Sequence, residues 1–175
     1  MSRLTKTEAI VFKKKSLLGK DNSLTLFTKE EGKVSVIAKG IRKITSRRAS
    51  HTQTGNLVKI SLYDKNDRLY LQESELISAF STIKSKSDKI KFQYLFLFLL
   101  DRMLPEKQKE DEVYILTKKF LVELARSKVF TKEIMFAYIQ KLLVFLGFHK
   151  SKQSYEELLR YLEEIIHEKI PPGII

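Results

Sequence analysis

Cysteine and tryptophan are both absent from these 175 residues, and only 3 prolines and 6 glycines punctuate them. Without cysteine there is no disulfide framework, no thiol nucleophile and no thiolate-bound zinc. The 3 histidines, His51, His149 and His167, are too dispersed to build an imidazole metal centre. Phosphate-binding glycine loops and dinucleotide fingerprints are missing too, which removes the commonest nucleotide-dependent enzymes. The greasiest run, residues 94–100, stops at Asp101 and Arg102, far short of the roughly 20 apolar residues of a membrane helix. The opening MSRLTKTEAI lacks the apolar centre of a signal peptide. The expectation is a cytoplasmic, non-catalytic protein with no metal or cofactor and no membrane partner.

What the sequence has in excess is positive charge. Lysine and arginine number 33 against 21 acids, a formal net charge of +12, which favours a polyanionic partner, either nucleic acid or an anionic surface. The 43% hydrophobic content is ample for a packed core. The acidic pairs Glu30/Glu31, Glu73/Glu75 and Glu163/Glu164 fall in a turn, on a strand face and on a helix edge, where they read as solvated charges rather than as general acids and bases.

The pattern changes near residue 80. Before it, β-branched alternation bounded by turn residues marks five strands, at EAIVFKK, SLTLFT, KVSVIAKG, NLVKISLY and RLYLQESEL. DKND reads as a hairpin turn, and Gly32 supplies the positive φ of another. Five short strands with tight turns predict a small barrel over residues 1–80. After it, apolar residues recur at helical spacing. Ser87 is placed to cap a helix carrying Phe92, Leu95, Phe96, Leu99 and Met103, ended by Pro105. Val113, Leu116, Phe120 and Leu124 form a second stripe, and Ile134, Tyr138, Leu142 and Phe145 a third that closes at Gly147. Ser154 and Glu157 have capping-box spacing ahead of Leu158, Tyr161, Leu162, Ile165 and Ile166. Residues 81–175 are therefore expected to be a helical bundle, and the fold class is α+β, an all-β part followed by an all-α part.

Cations cluster at the exit of the third strand, where KGIRKITSRR holds Lys39, Arg42, Lys43, Arg47 and Arg48 with no acid between them. On NLVKISLY the residues opposite the apolar set are Lys59, Ser61 and Tyr63, and the next strand offers Tyr70 and Gln72 beside them. Lys13 and Lys15 share a face of the first strand. Rings that stack on bases, interleaved with cations that follow phosphates, suit single-stranded nucleic acid. Packing of Tyr63 and Tyr70 under the helices, and edge protection by the lysines, are the structural alternatives.

The stretch AIVFKKKSLLGKDNSLTLFTKEEGKVSVIAKGIRKITSR resembles the start of the RecO family of bacterial recombination mediators. The likeness lies in the AIV strand, in LFT followed two residues later by an acid and a glycine, and in AKG with basic residues and SR behind it. LVKISLY, LYLQESEL and LLVFLGF extend it over most of the chain. The resemblance implies an oligonucleotide-binding (OB) barrel followed by a helical domain, acting in bacterial DNA repair close to the nucleoid. It implies binding of single- and double-stranded DNA, strand annealing, and help for RecA in displacing single-stranded-DNA-binding protein, with RecR and that protein's acidic, apolar C-terminal tail as partners. Such a tail needs an apolar groove with a cation at its lip, and Lys118, Lys119 and Arg126 lie near Phe120 and Leu124. Two features depart from the family. Lys20 stands at an often acidic position, and HKSKQSYEE takes the place of the four-cysteine zinc module that many members carry, which marks a short form. An RNA-binding barrel and a basic module for acidic proteins remain open on the residues alone.

With no cysteine in the chain, the protein should fold without zinc: metal analysis should find no stoichiometric zinc, and a chelator should leave the melting temperature unchanged.

Overall fold

The computed structural model describes residues 4–148 and 154–175, so His149 lies outside the described residues. The chain forms two compact units, one of Met1–Ala79 with Leu104–Glu110, the other of Phe80–Met103 with Asp111–Ile175. The chain passes from the first unit to the second after Ala79, and the segment after Met103 returns to the first unit.

In that unit β1 (Leu4–Ser16), β2 (Asn22–Thr28), β3 (Gly32–Ala38), β4 (Leu57–Lys65) and β5 (Arg68–Ser78) close into a barrel in the order β1-β2-β3-β5-β4. A one-turn helix, α1 (Arg48–His51), sits between β3 and β4. This is the five-stranded OB arrangement. Alternate residues point inward and make the core: Ala9 and Val11, Leu24 and Leu26, Val34, Val36 and Ala38, then Val58, Ile60 and Leu62, and Leu71. Asn66 and Asp67 both take positive φ, 54° and 58°, which builds the tight β4–β5 turn.

Two irregularities shape the barrel. In β1, Val11 pairs with Leu26 and Lys13 with Thr25, so Phe12 is an extra residue. The bulge turns Phe12 against Phe27, with ring centroids 5.4 Å apart, and resets the alternation of the lysines beyond it. The second lies at the seam, where β3 and β5 pair only at Val36–Leu69 and Ile37–Tyr70. The start of β3 instead meets the returning segment: Lys33 bridges Glu106 in parallel, the Lys107 amide donates to Lys33 O at 2.8 Å, and Ser35 Oγ donates to Glu106 Oε1 at 3.1 Å.

The second unit contains α2 (Ser81–Lys84), α3 (Ser87–Met103), α4 (Asp111–Arg126), α5 (Lys132–Phe145), α6 (Tyr155–Ile166) and a 3₁₀ turn at Pro172–Ile174. Ser87 is the first residue of α3 rather than the cap outside it. Its core is aromatic: Phe120 lies 4.2 Å from Phe96, 5.8 Å from Phe130 and 5.2 Å from Tyr138, measured between ring centroids. Tyr138 Oη donates to Glu123 Oε2 at 2.5 Å, and burial together with that carboxylate pushes the phenol pKa well above its ordinary value. Lys89 is buried and donates from Nζ to Ser127 O at 2.6 Å and Ala125 O at 3.3 Å, closing the C-terminal end of α4; burial, with Lys86 nearby, lowers its pKa. The buried face of α5 is Met135, Tyr138, Ile139, Leu142 and Leu143, while Phe145 is exposed. The capping box of α6 is complete, with Glu157 N donating to Ser154 Oγ and Ser154 N donating to Glu157 Oε2. Among the described residues no helix is long and apolar enough to cross a membrane.

Gly32 has φ +73°, and a Cβ there would collide with the Gln108 carbonyl of the returning segment. Gly32→Ala should lower stability by about 2 kcal/mol or more in a urea melt and speed hydrogen exchange at the Lys107 amide, which depends on that approach.

Candidate nucleic-acid interface

The loop Leu17–Asp21 and the segment that follows β3 are neighbours because β2 joins one end of the first to β3, whose exit begins the second. Hydrogen bonds lock them together. Gly40 N donates to Asp21 Oδ1 at 2.7 Å and Arg42 N to Lys20 O at 3.0 Å. The Arg42 guanidinium donates to Leu17 O at 3.1 Å and also to Gly19 O. Arg48 reaches further, with Nη1 donating to Leu71 O at 3.0 Å on β5 and Nη2 to Lys39 O at 2.8 Å. His51 Nδ1 lies 2.9 Å from Ser74 O; a carbonyl can only accept, so this nitrogen carries the proton. The cationic stretch is thus a folded knuckle fastened to β5 and to the preceding loop.

This sorts the five cations read from the sequence. Arg42 and Arg48 direct their guanidiniums at backbone carbonyls and hold the knuckle. Lys39 Nζ lies over the Tyr70 ring, 4.9 Å from its centroid. Lys43 and Arg47 are exposed, and their side chains have no partner among the described residues.

The barrel register extends the surface. Lys15 pairs with Ser23, Ser23 with Ile37, Ile37 with Tyr70, and Tyr70 with Tyr63. Ser23, Ile37, Tyr70 and Tyr63 are outward neighbours of core residues and Lys15 pairs in register with Ser23, so the five lie in one row around the outside of the barrel. Tyr63 and Tyr70 are half-buried and stacked, with centroids 5.1 Å apart and planes 15° apart. Lys13 points outward with Lys15, as expected, whereas Lys14 donates to Gln53 Oε1 at 2.7 Å. Lys59 does not join this surface electrostatically. It pairs with Glu8 on one side and Glu75 on the other, and lies four residues, about 13 Å, from Tyr63 along β4. Cross-strand carboxylates at that spacing offset its charge.

Residues 1–80 match the family model described as Recombination protein O N terminal. The DNA repair protein RecO of Caldanaerobacter subterraneus is 32% identical over 146 residues, 83% of this chain and 59% of the relative. Its namesake in Symbiobacterium thermophilum is 27% identical over 148 residues, 85% and 58% of the two chains. That of Listeria monocytogenes is 30% identical over 118 residues, 67% and 46%. The chain belongs to the RecO family. It spans a little under three fifths of the length of the relatives it matches over most of its own.

Two aspects of this RecO-family surface were not read from the sequence. Leu18, on the loop before β2, and Ile44, on the knuckle, stand 97% and 106% exposed; an apolar residue inside SLLGK and another inside GIRKIT were the only signals. The barrel is also uneven in charge. The β2–β3 turn, at the other end of those strands, and the β4–β5 hairpin bring Glu30, Glu31, Asp64 and Asp67 to a cleft of about 530 Å³, with Lys107 and Lys109 on its lining. In the helical unit, Phe120 and Leu124, near Lys118, Lys119 and Arg126 on α4, are wholly buried in the core. An apolar cleft of about 370 Å³ lies elsewhere, lined by Phe92, Phe130 and Tyr155 with Lys91 and Lys132.

Arg48→Ala removes charged hydrogen bonds to two parts of the backbone and should cost about 1.5–3 kcal/mol in denaturant unfolding. The pair Lys43→Ala/Arg47→Ala should change stability by less than about 0.5 kcal/mol.

Proposed function

We propose that this chain is a DNA-binding recombination mediator of the RecO type, which binds and anneals single strands and assists RecA loading in recombinational repair. The observation that carries this reading is the fastened knuckle on an OB barrel. It presents Lys39, Lys43 and Arg47 with Lys15 and Lys20 nearby, in line with Ile37 and the stacked Tyr63–Tyr70 pair. Such a surface neutralises phosphates and offers ring and aliphatic contacts without reading base edges, which suits a protein that must leave those edges free to pair. Neutralising two repelling backbones is the mechanism of annealing in this reading. No catalytic group is required. Lys13, two residues from Lys15 along β1, is a further contact, while Lys59 contributes little.

RecR and the acidic tail of single-stranded-DNA-binding protein are the proposed protein partners. For the tail we favour the cleft of Phe92, Phe130 and Tyr155 over the α4 stripe, because apolar walls and two lysines converge there and Lys132 Nζ already lies 5.5 Å from the Tyr155 ring centroid.

Anisotropy titration of labelled single strands should give a log K against log salt slope of roughly −2 to −3.5, from about −0.7 for each of three to five contacts. Lys43→Ala/Arg47→Ala should reduce that slope by about 1.4, weaken binding about tenfold at low salt and slow annealing of complementary oligonucleotides. A salt-independent affinity, or equal affinity in the variant, would refute the assignment of the knuckle.

A further inference from the structure

We propose that Leu18 and Ile44 are a pair of apolar wedges that enter between adjacent bases of the bound strand and unstack them. This rests on the DNA reading above and adds to it how the strand is held. Among the described residues these two are the most exposed large apolar side chains, at 97% and 106%, the next being Val129 at 72%. Isolated exposed aliphatics are ordinary on protein surfaces. Here one extreme case lies on the loop Leu17–Asp21 and the other on the knuckle bonded to it, and the backbone is fixed on both sides of Leu18 by the Arg42 guanidinium at Leu17 O and Gly19 O. Gly19, at φ +70°, makes the turn that sends Leu18 outward, and the amides of Lys43 and Ser46 donate to Gly40 O and Lys43 O on either side of Ile44. Both side chains are therefore held out on ordered backbone, and each forgoes the stabilisation that burial would give.

The surroundings identify the ligand. Lys20, Lys43 and Arg47 flank the tips in sequence, so whatever accepts the apolar side chains must carry negative charge immediately beside an apolar face. A nucleic-acid strand does so at every step, with phosphates on either side of each base. An anionic lipid surface also does, but the outward row of Ile37, Tyr70 and Tyr63 continues from the knuckle as a narrow track, which fits a strand better than a plane. Aliphatic wedges contact base faces and leave Watson–Crick edges free. Unstacking of this kind would open local folds in a strand before its complement arrives.

The test uses the full chain and an oligonucleotide carrying 2-aminopurine, whose emission rises when the base is unstacked. Binding of the wild type should raise the emission. In Leu18→Ser/Ile44→Ser the rise should disappear, affinity should fall about fivefold to tenfold, and the salt slope should stay the same, because phosphate contacts are retained. Absence of an emission rise in the wild type, or a variant that keeps both emission and affinity, would overturn the wedge while leaving DNA binding intact. A variant that binds DNA normally but loses binding to phosphatidylglycerol vesicles would overturn it in favour of a lipid surface. Failure of the wild type to bind any oligonucleotide would overturn the DNA reading itself, a separate result.

Discussion

The knuckle depends on the guanidinium of Arg48, which ties the backbone at Lys39 to the backbone of β5 at Leu71. Arg42 does the same between the knuckle and the loop before β2. A polar, cationic loop would otherwise repel itself into an ensemble, and a ligand would have to order it at the expense of affinity. Here the ordering is built into the free protein, and two cations that look like ligand contacts are what make it possible. Charge density in a loop therefore overstates the number of charges available to a partner.

Much of the architecture was legible. Strand alternation gave the five strands, DKND the hairpin, and Ser154 with Glu157 the start of the last helix, because each is decided by residues within a few positions of one another. The third helical stripe is right at Tyr138 and Leu142, which are buried, but not at Ile134 and Phe145, and Met135, Ile139 and Leu143 complete the buried face. On a helix this apolar, several faces fit the period equally well, and tertiary packing selects among them.

The site was less legible for a related reason. The destination of a guanidinium is a long-range fact, and nothing local distinguishes Arg48, which bonds backbone 23 residues away, from Arg47, which reaches solvent. Lys59 looked like part of a cationic face until register set it between Glu8 and Glu75. The bulge at Phe12 depends on pairing with β2, and Leu18 and Ile44 became notable only once their exposure was known. The net charge of +12 conceals a polarised barrel, in which cations collect where β3 ends and acids where it begins. A polyanion drawn to one end of such a barrel would be repelled from the other.

The segment that closes the seam beside β3 arrives late in synthesis. Lys33 and Glu106 are 73 residues apart in sequence, and all five strands and the whole of α3 precede the bridge between them. At translation rates of about 5–20 residues per second, the nascent barrel waits on the order of seconds with the first half of β3 paired to β2 on one edge and open on the other. An open strand edge of that kind invites pairing with another chain. The corresponding segment of a second copy has the same chemistry as the native one, so crowded polysomes making this protein are where exchanged dimers would arise.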